Sequence, residues 1–253
     1  MRINNRVFIL RDFDLEVQRR VEFIRGILKS AGSAGIVFGN SGGKDCALTG
    51  ILCKMACDNT LGIIMPCGSK QNYESDMADA MALAKQYGID TRIIDLSEVK
   101  NAMVKALADG SGPVSDPAAA NISPRLRMAA LYAIALDEKR LVAGTGNRSE
   151  KHMGYFTKWG DGAYDFNPIG DLTATEVYEF LRYLKAPASI IEKAPSAGLF
   201  EGQTDEGEMG VTYKSIDEYL LSGITNERDQ RIIDMFHNNS EHKRRLPLVY
   251  KGS

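Results

Sequence analysis

Short apolar runs of β type alternate with helical patterns along most of the chain, and this alternation restricts the fold more than any other feature. Ile36-Val37-Phe38 leads into a helical pattern through Leu48, Leu52 and Met55. A strand predicted at 61–66 precedes a helix through Tyr73, Met77, Ala80 and Ala84; another at 91–95 precedes one through Val99, Met103 and Leu107 that ends near Gly110. Such a succession builds a parallel sheet with crossover helices on its faces, an α/β fold. Val17, Val21, Ile24, Leu28 and Ala31 place one apolar stripe on an opening helix. Ser123 and Pro124 suit the N-cap and first position of a helix running to about Asp137. Residues 140–144 read as the next strand, and Thr173 with Glu176 forms a capping-box pattern before Val177, Leu181 and Leu184. Two further helices are predicted near 212–221 and 225–239. The breaker-rich stretch 109–117 reads as a loop. The stretch 195–210, rich in Gly and acids, reads equally as a surface loop or an active-site lid. The whole of 1–253 is expected to form a single domain.

Composition removes several function classes. With 31 Lys and Arg against 33 Asp and Glu, the net charge is −2, which offers no field for a dedicated nucleic-acid binder. The longest apolar run, Met128 to Leu136, is far shorter than the ~18–20 residues that span a bilayer. No membrane helix is therefore expected. Arg2, Arg6, Arg11 and Asp12 interrupt the N-terminal region before a secretory apolar core forms, so the expected location is cytoplasmic. Cys53 and Cys57 lie one helical turn apart rather than on a zinc-binding turn. The four cysteines, Cys46 and Cys67 included, read as reduced, partly buried thiols.

The most informative segment is Gly39-Asn40-Ser41-Gly42-Gly43-Lys44-Asp45-Cys46, between a buried strand and a helix. Backbone N–H groups at such a helix start hold phosphate, and glycine permits close approach. The segment is neither a Walker loop nor a dinucleotide fingerprint. Asp45 is the unusual element: a carboxylate beside a phosphate cradle repels the ligand unless a divalent cation bridges them, which points to Mg²⁺.

This Ser-Gly-Gly-x-Asp-x segment resembles the pyrophosphatase loop of ATP-dependent ligases that release pyrophosphate and leave an adenylate on the substrate. Five further blocks are similar in order and spacing to those of ammonia-dependent NAD synthetase. They are Asn121-Ile122 with Arg125, Arg127 and Met128; Gly144-Thr145-Gly146-Asn147 with Ser149-Glu150; Gly154 to Lys158 with Gly160-Asp161-Gly162; Pro195-Ser196-Ala197 with Leu199; and Glu241-His242-Lys243-Arg244. The resemblance spans about residues 15 to 247. It implies a homodimer with a Rossmann-like parallel sheet flanked by helices, of the adenine nucleotide alpha hydrolase-like kind. The implied reaction converts deamido-NAD (nicotinate adenine dinucleotide), ATP and ammonia to NAD, AMP and pyrophosphate through an acyl-adenylate.

By the same resemblance, Gly39, Asn40, Ser41, Gly42, Gly43, Lys44, Asp45 and Cys46 hold the ATP phosphates, with Thr145 and Ser196 also contacting ATP. Asp45 and Glu150 match Mg²⁺ ligands. Arg125, Lys158, Asp165, His242 and Lys243 match positions that bind deamido-NAD, and Asp161 and Lys158 take the catalytic roles. On residue type alone, Glu150 also reads as a helix-start acid, Asp161 and Asp165 as turn formers, and the basic run from His242 as solvated charge. No glutaminase domain is expected before the first helix, so ammonia is expected to come free or from a separate donor. Two positions depart from the family pattern: Cys46 replaces the usual Ser, and Ala174 stands where a lysine usually reaches the ATP phosphates. The loss leaves a poor enzyme unless another cation substitutes, and Lys44 and Arg148 are the candidates. The competing readings are another adenylating member of the superfamily, tRNA-thiolating or GMP-forming, and a catalytically silent nucleotide-binding relative.

Overall fold

The computed structural model describes residues 11–68, 75–193 and 204–251. The first half runs α1 (Phe13–Ala31), β1 (Gly35–Gly39), α2 (Lys44–Ala56), β2 (Thr60–Ile64), α3 (Met77–Tyr87), β3 (Asp90–Ile93), α4 (Ser97–Ser111), α5 (Asp116–Ala120), α6 (Ile122–Asp137) and β4 (Arg140–Val142). The second is helical: α7 (Arg148–Met153), α8 (Ala174–Tyr183), α9 (Ala188–Ile191), α10 (Asp205–Met209), α11 (Tyr213–Ser222), α12 (Glu227–Asn239) and α13 (Glu241–Arg244). The four strands pair in parallel in the order β3-β2-β1-β4.

Strand side chains alternate between faces, and β1 shows the consequence. Ile36 and Phe38 enter a core with Ile24 of α1, Leu48, Ile51 and Leu52 of α2 and Val177, Phe180 and Leu181 of α8. Val37 enters the opposite core, where Leu61, Ile63 and Val142 meet Ala135 and the α6 face. A third cluster joins Met153, Ala174, Met209, Val211, Tyr213, Ile216 and Ile233 beside the sheet. β1 lies between β2 and β4, so the chain leaves it towards β2 and returns on its other side at β4. The carboxyl ends of β1 and β4 are therefore a switch point, where open parallel sheets bind ligands.

The Thr173–Glu176 capping box forms as predicted. Elsewhere the boundaries differ for physical reasons. α4 continues to Ser111 and α5 begins at Asp116, so the predicted loop at 109–117 shrinks to 112–115. Asn121 ends α5 and immediately precedes α6, which places Ser123 and Pro124 inside the first turn of α6 rather than at its cap. Residues 205–209 form α10, capped by Thr204, within the stretch read as loop or lid. Tyr73 and residues 194–203 lie outside the described residues. All four cysteines are free, with Cys53 and Cys67 buried. Among the described residues no helix is long and apolar enough to cross a membrane.

His152 of α7 stacks on His237 of α12 with ring centroids 4.1 Å apart. Its Nε2 is buried without a hydrogen-bond partner. Burial and the neighbouring His237 hold the His152 pKa down to about 4, against ~6.5 for an unfolded histidine. Below pH 6.5 the unfolded chain gains a proton that the folded chain refuses, so stability falls as the pH drops from 6.5 towards 4. The urea midpoint should therefore decrease over that window, and less steeply in His152→Phe; equal slopes would remove His152 from the explanation.

Candidate active site

The loop after β1 has the shape of an anion cradle because one glycine lets it turn tightly. Gly42 adopts φ +75°, and a Cβ there would lie 2.2 Å from the Asp76 carbonyl oxygen, so neither conformation nor space admits a side chain. Asn40, 1 % exposed, anchors the loop: its Nδ2 donates to the Ala80 carbonyl at 3.1 Å, and its Oδ1 accepts the Gly42 N–H at 3.3 Å. Ser41 Oγ accepts the Gly43 N–H at 3.3 Å and lies 3.1 Å from Cys46 Sγ. Burial pushes the Cys46 thiol pKa up, so this sulfur is a neutral, weak donor. Gly43 is the N-cap of α2, so the cradle coincides with the positive end of a helix.

Across the cleft, Asn147 and Glu150 form a capping box at the start of α7. Glu150 Oε2 accepts the Asn147 N–H at 3.1 Å, and Asn147 Oδ1 accepts the Glu150 N–H at 3.0 Å. Asn147 Nδ2 then donates to Asp45 Oδ1 at 3.0 Å. One capped helix start thereby fixes both carboxylates. Their remaining oxygens converge on one cation, the Lys44 ammonium: Asp45 Oδ2 is hydrogen-bonded to it and Glu150 Oε1 lies 3.7 Å away. Burial and the adjacent Asp45 push the Glu150 pKa up, against the pull of Lys44. Burial disfavours charge on Lys44, but Asp45 and Glu150 overcome it and hold its pKa above the ordinary lysine value.

Two partly buried, hard carboxylate donors are the protein contribution that Mg²⁺ commonly takes, the rest being water and substrate phosphate. No group of three or more His, Cys, Asp or Glu that could hold a metal is present among the described residues. Asp45 and Glu150 therefore suit a metal that arrives with a phosphate ligand.

These groups line a cavity of about 800 Å³ with Gly39, Thr145, Arg127, Asp161, Lys193 and Lys243. Asp161 Oδ1 accepts the Thr157 N–H at 2.9 Å. Its side chain stays open to cleft water, yet the surrounding walls desolvate it enough to raise its pKa, against the Thr157 N–H, Lys243 and Arg127. Lys243 Nζ donates to the Gly154 and Phe156 carbonyls at 2.8 Å each. Lys158 and His242 meet just outside: Lys158 Nζ donates to the His242 carbonyl at 2.8 Å and lies over the Trp159 ring.

Not every residue singled out from the sequence comes to this cavity. Arg125 lines a separate small groove with Met103, Leu107 and Ile122. Asp165 accepts the Val142 N–H at 2.7 Å and the Tyr132 hydroxyl at 3.2 Å, which ties it to β4 and α6. Ser196 lies outside the described residues. Sequence reasoning did not select Lys193, whose Nζ meets Asp76 at 2.7 Å and Asp79 at 2.8 Å, nor Tyr178 and Tyr213, whose rings face Lys44. Only the 3.6-residue phase of α8 could have signalled Tyr178, since it lies off the core stripe of Val177 and Leu181.

The two candidate substitute cations separate clearly. Arg148 donates to the Leu220 carbonyl at 3.1 Å and does not line the cavity, whereas Lys44 does. Ala174 is 1 % exposed within the third apolar cluster. Its N–H donates to Ser149 Oγ at 3.2 Å, and the next N–H, of Thr175, donates to Asp217 at 2.7 Å. The start of α8 is thus capped from within.

The pattern that defines the NAD synthase family matches residues 16–247. The NH(3)-dependent NAD(+) synthetase of Carboxydothermus hydrogenoformans is 45% identical over 94% of this chain and 98% of its own. Its namesake from Archaeoglobus fulgidus is 42% identical over 94% of this chain and 97% of its own. A solved structure of NMN synthetase from Francisella tularensis superposes with a TM-score of 0.90 at 36% identity, covering 96% of this chain and all of that one. A parallel sheet carrying this loop at its switch point, together with likeness over nearly the full length, places the chain in the NAD synthase family.

Proposed function

We propose that the protein is a ligase that forms a carbon–nitrogen bond, amidating deamido-NAD with ammonia at the expense of ATP to give NAD, AMP and pyrophosphate. The observation that carries this reading is the convergence of Asp45 and Glu150 beside the Gly39–Cys46 cradle, in one cavity with Asp161 and Lys243. The cradle N–H groups and the α2 N-terminus hold the polyphosphate. Asp45 and Glu150 hold Mg²⁺, which supplies charge neutralisation where a carboxylate must approach a phosphate.

A nicotinate carboxylate is a poor acyl donor because oxide is a poor leaving group. Its oxygen attacks the α-phosphorus, the bond to pyrophosphate breaks, and AMP becomes the leaving group of the second step. Two unit anions 4 Å apart repel by ~1 kcal/mol in water and ~4 kcal/mol at an effective dielectric of 20, so cations in the cavity wall matter. Lys243 lies beside Asp161 for this purpose, with Lys158 and His242 at the adjoining surface. Asp161 holds ammonium and accepts a proton from it, a role that a raised carboxyl pKa favours. Arg125 and Asp165 serve deamido-NAD only if the substrate reaches beyond the main cavity. The apolar groove at Arg125, with Met103 45% and Leu107 38% exposed, supports a homodimer.

The name of the Francisella tularensis relative favours a second reading, in which nicotinate mononucleotide is the acyl donor. Exchange of labelled pyrophosphate into ATP, measured without ammonia, tests both. Exchange that needs Mg²⁺ and deamido-NAD is expected. Exchange that responds only to the mononucleotide would transfer the reading to that substrate, and exchange with XMP would defeat both.

A further inference from the structure

A buried lysine bound to two carboxylates is ordinarily structural, but Lys44 occupies the point where the two proposed metal-binding oxygens converge. It is 6 % exposed and lies in the cavity wall. Its ammonium pairs with Asp45, stands 3.7 Å from Glu150 and faces the rings of Tyr213 at 5.5 Å and Tyr178 at 5.7 Å. The tyrosine faces add favourable cation–π contact in a desolvated setting. Tyr213 belongs to the same apolar cluster as Ala174, so the wall behind Lys44 is continuous with the packing that buries Ala174. Neighbouring cations have other partners: Lys193 is neutralised by Asp76 and Asp79, Lys243 is held by two carbonyls, and Arg148 faces Leu220.

A divalent ion cannot join Asp45 and Glu150 while the ammonium sits between them, because like charges at such distances repel strongly in a low-dielectric site. A metal that arrives on a nucleotide brings compensating phosphate charge. The tethered ammonium then has a polyphosphate oxygen within reach of its four-carbon stem. We propose that Lys44 is an internal counter-cation that keeps free divalent metal away from Asp45 and Glu150, yields that position to metal–nucleotide, and then pairs with the polyphosphate. The inference rests on the ATP and Mg²⁺ site proposed above. It makes metal binding conditional on nucleotide, and it gives the chain its substitute for the phosphate-binding lysine that Ala174 lacks.

The test is Mn²⁺ binding to the full chain, read by electron paramagnetic resonance with and without ATP, in the wild type, Lys44→Met and Lys44→Arg. Methionine keeps the unbranched stem between the two rings and removes the charge. Without ATP, Lys44→Met should bind Mn²⁺ on the order of tenfold more tightly than the wild type, and Lys44→Arg no more tightly. With Mg²⁺ present, Lys44→Met should bind ATP on the order of tenfold more weakly. Unchanged Mn²⁺ affinity in a folded Lys44→Met that still binds ATP would overturn this inference alone. Should Lys44→Met not fold, Lys44→Gln replaces it with the same expectation, and unchanged Mn²⁺ affinity there overturns the inference equally. A wild type that binds no ATP with Mg²⁺ would overturn the site reading and this inference together.

Discussion

Asp45→Asn is expected to lower the rate of pyrophosphate release by roughly 10²–10³ while leaving the fold in place. The reasoning starts from isosterism: the amide oxygen still accepts from Asn147 Nδ2, which holds Asp45 Oδ1 at 3.0 Å. What disappears is the negative charge that partners a divalent cation at the phosphates. Losing one such electrostatic element typically costs ~2.7–4 kcal/mol in the transition state. The melting temperature should move by only a few degrees, since the side chain lies in the first turn of α2 at the cavity wall rather than in an apolar core. Wild-type turnover in this variant would show that Asp45 is no metal ligand.

Ala174→Lys has its large effect on stability, with no gain in rate. The position is 1 % exposed among Met153, Met209, Tyr213 and Ile216. Overpacking alone costs ~1–3 kcal/mol, and an ammonium without a prepared partner adds its own desolvation cost. A loss of 3 kcal/mol lowers the melting temperature by roughly 6–12 °C for a chain of this size. Turnover per folded molecule should not rise, because Lys44 already places an ammonium at the carboxylates. A tenfold rise in kcat would show that the phosphates lack a cation and that the start of α8 opens to them.

The parts legible in the sequence were those fixed by local physics. Periodicity located α1 and α2, short apolar runs located the strands, and the Thr173–Glu176 capping box marked the start of α8 because both partners lie within one turn. The Gly39–Cys46 loop was legible because its glycines and Asp45 are contiguous. Short helices were not: α5, α7, α9, α10 and α13 are too brief to show a 3.6-residue period, so their existence depends on tertiary packing. The partnership of Asp45 with Glu150 was anticipated, but its means was not. Asn147 joins them across 102 residues of sequence through a single hydrogen bond, and no local pattern encodes that. The burial of Ala174 was not legible for a similar reason, since the residues that cover it, Met153, Met209, Tyr213 and Ile216, and the partners of the adjacent backbone, Ser149 and Asp217, come from other helices.

The most direct test of the central claim is product stoichiometry with the purified protein, ATP, Mg²⁺, deamido-NAD and ammonium chloride. NAD, AMP and pyrophosphate should appear in equal amounts, and omission of any one substrate should stop all three. Formation of ADP and phosphate in place of AMP and pyrophosphate, or ATP consumption without NAD, would contradict the account.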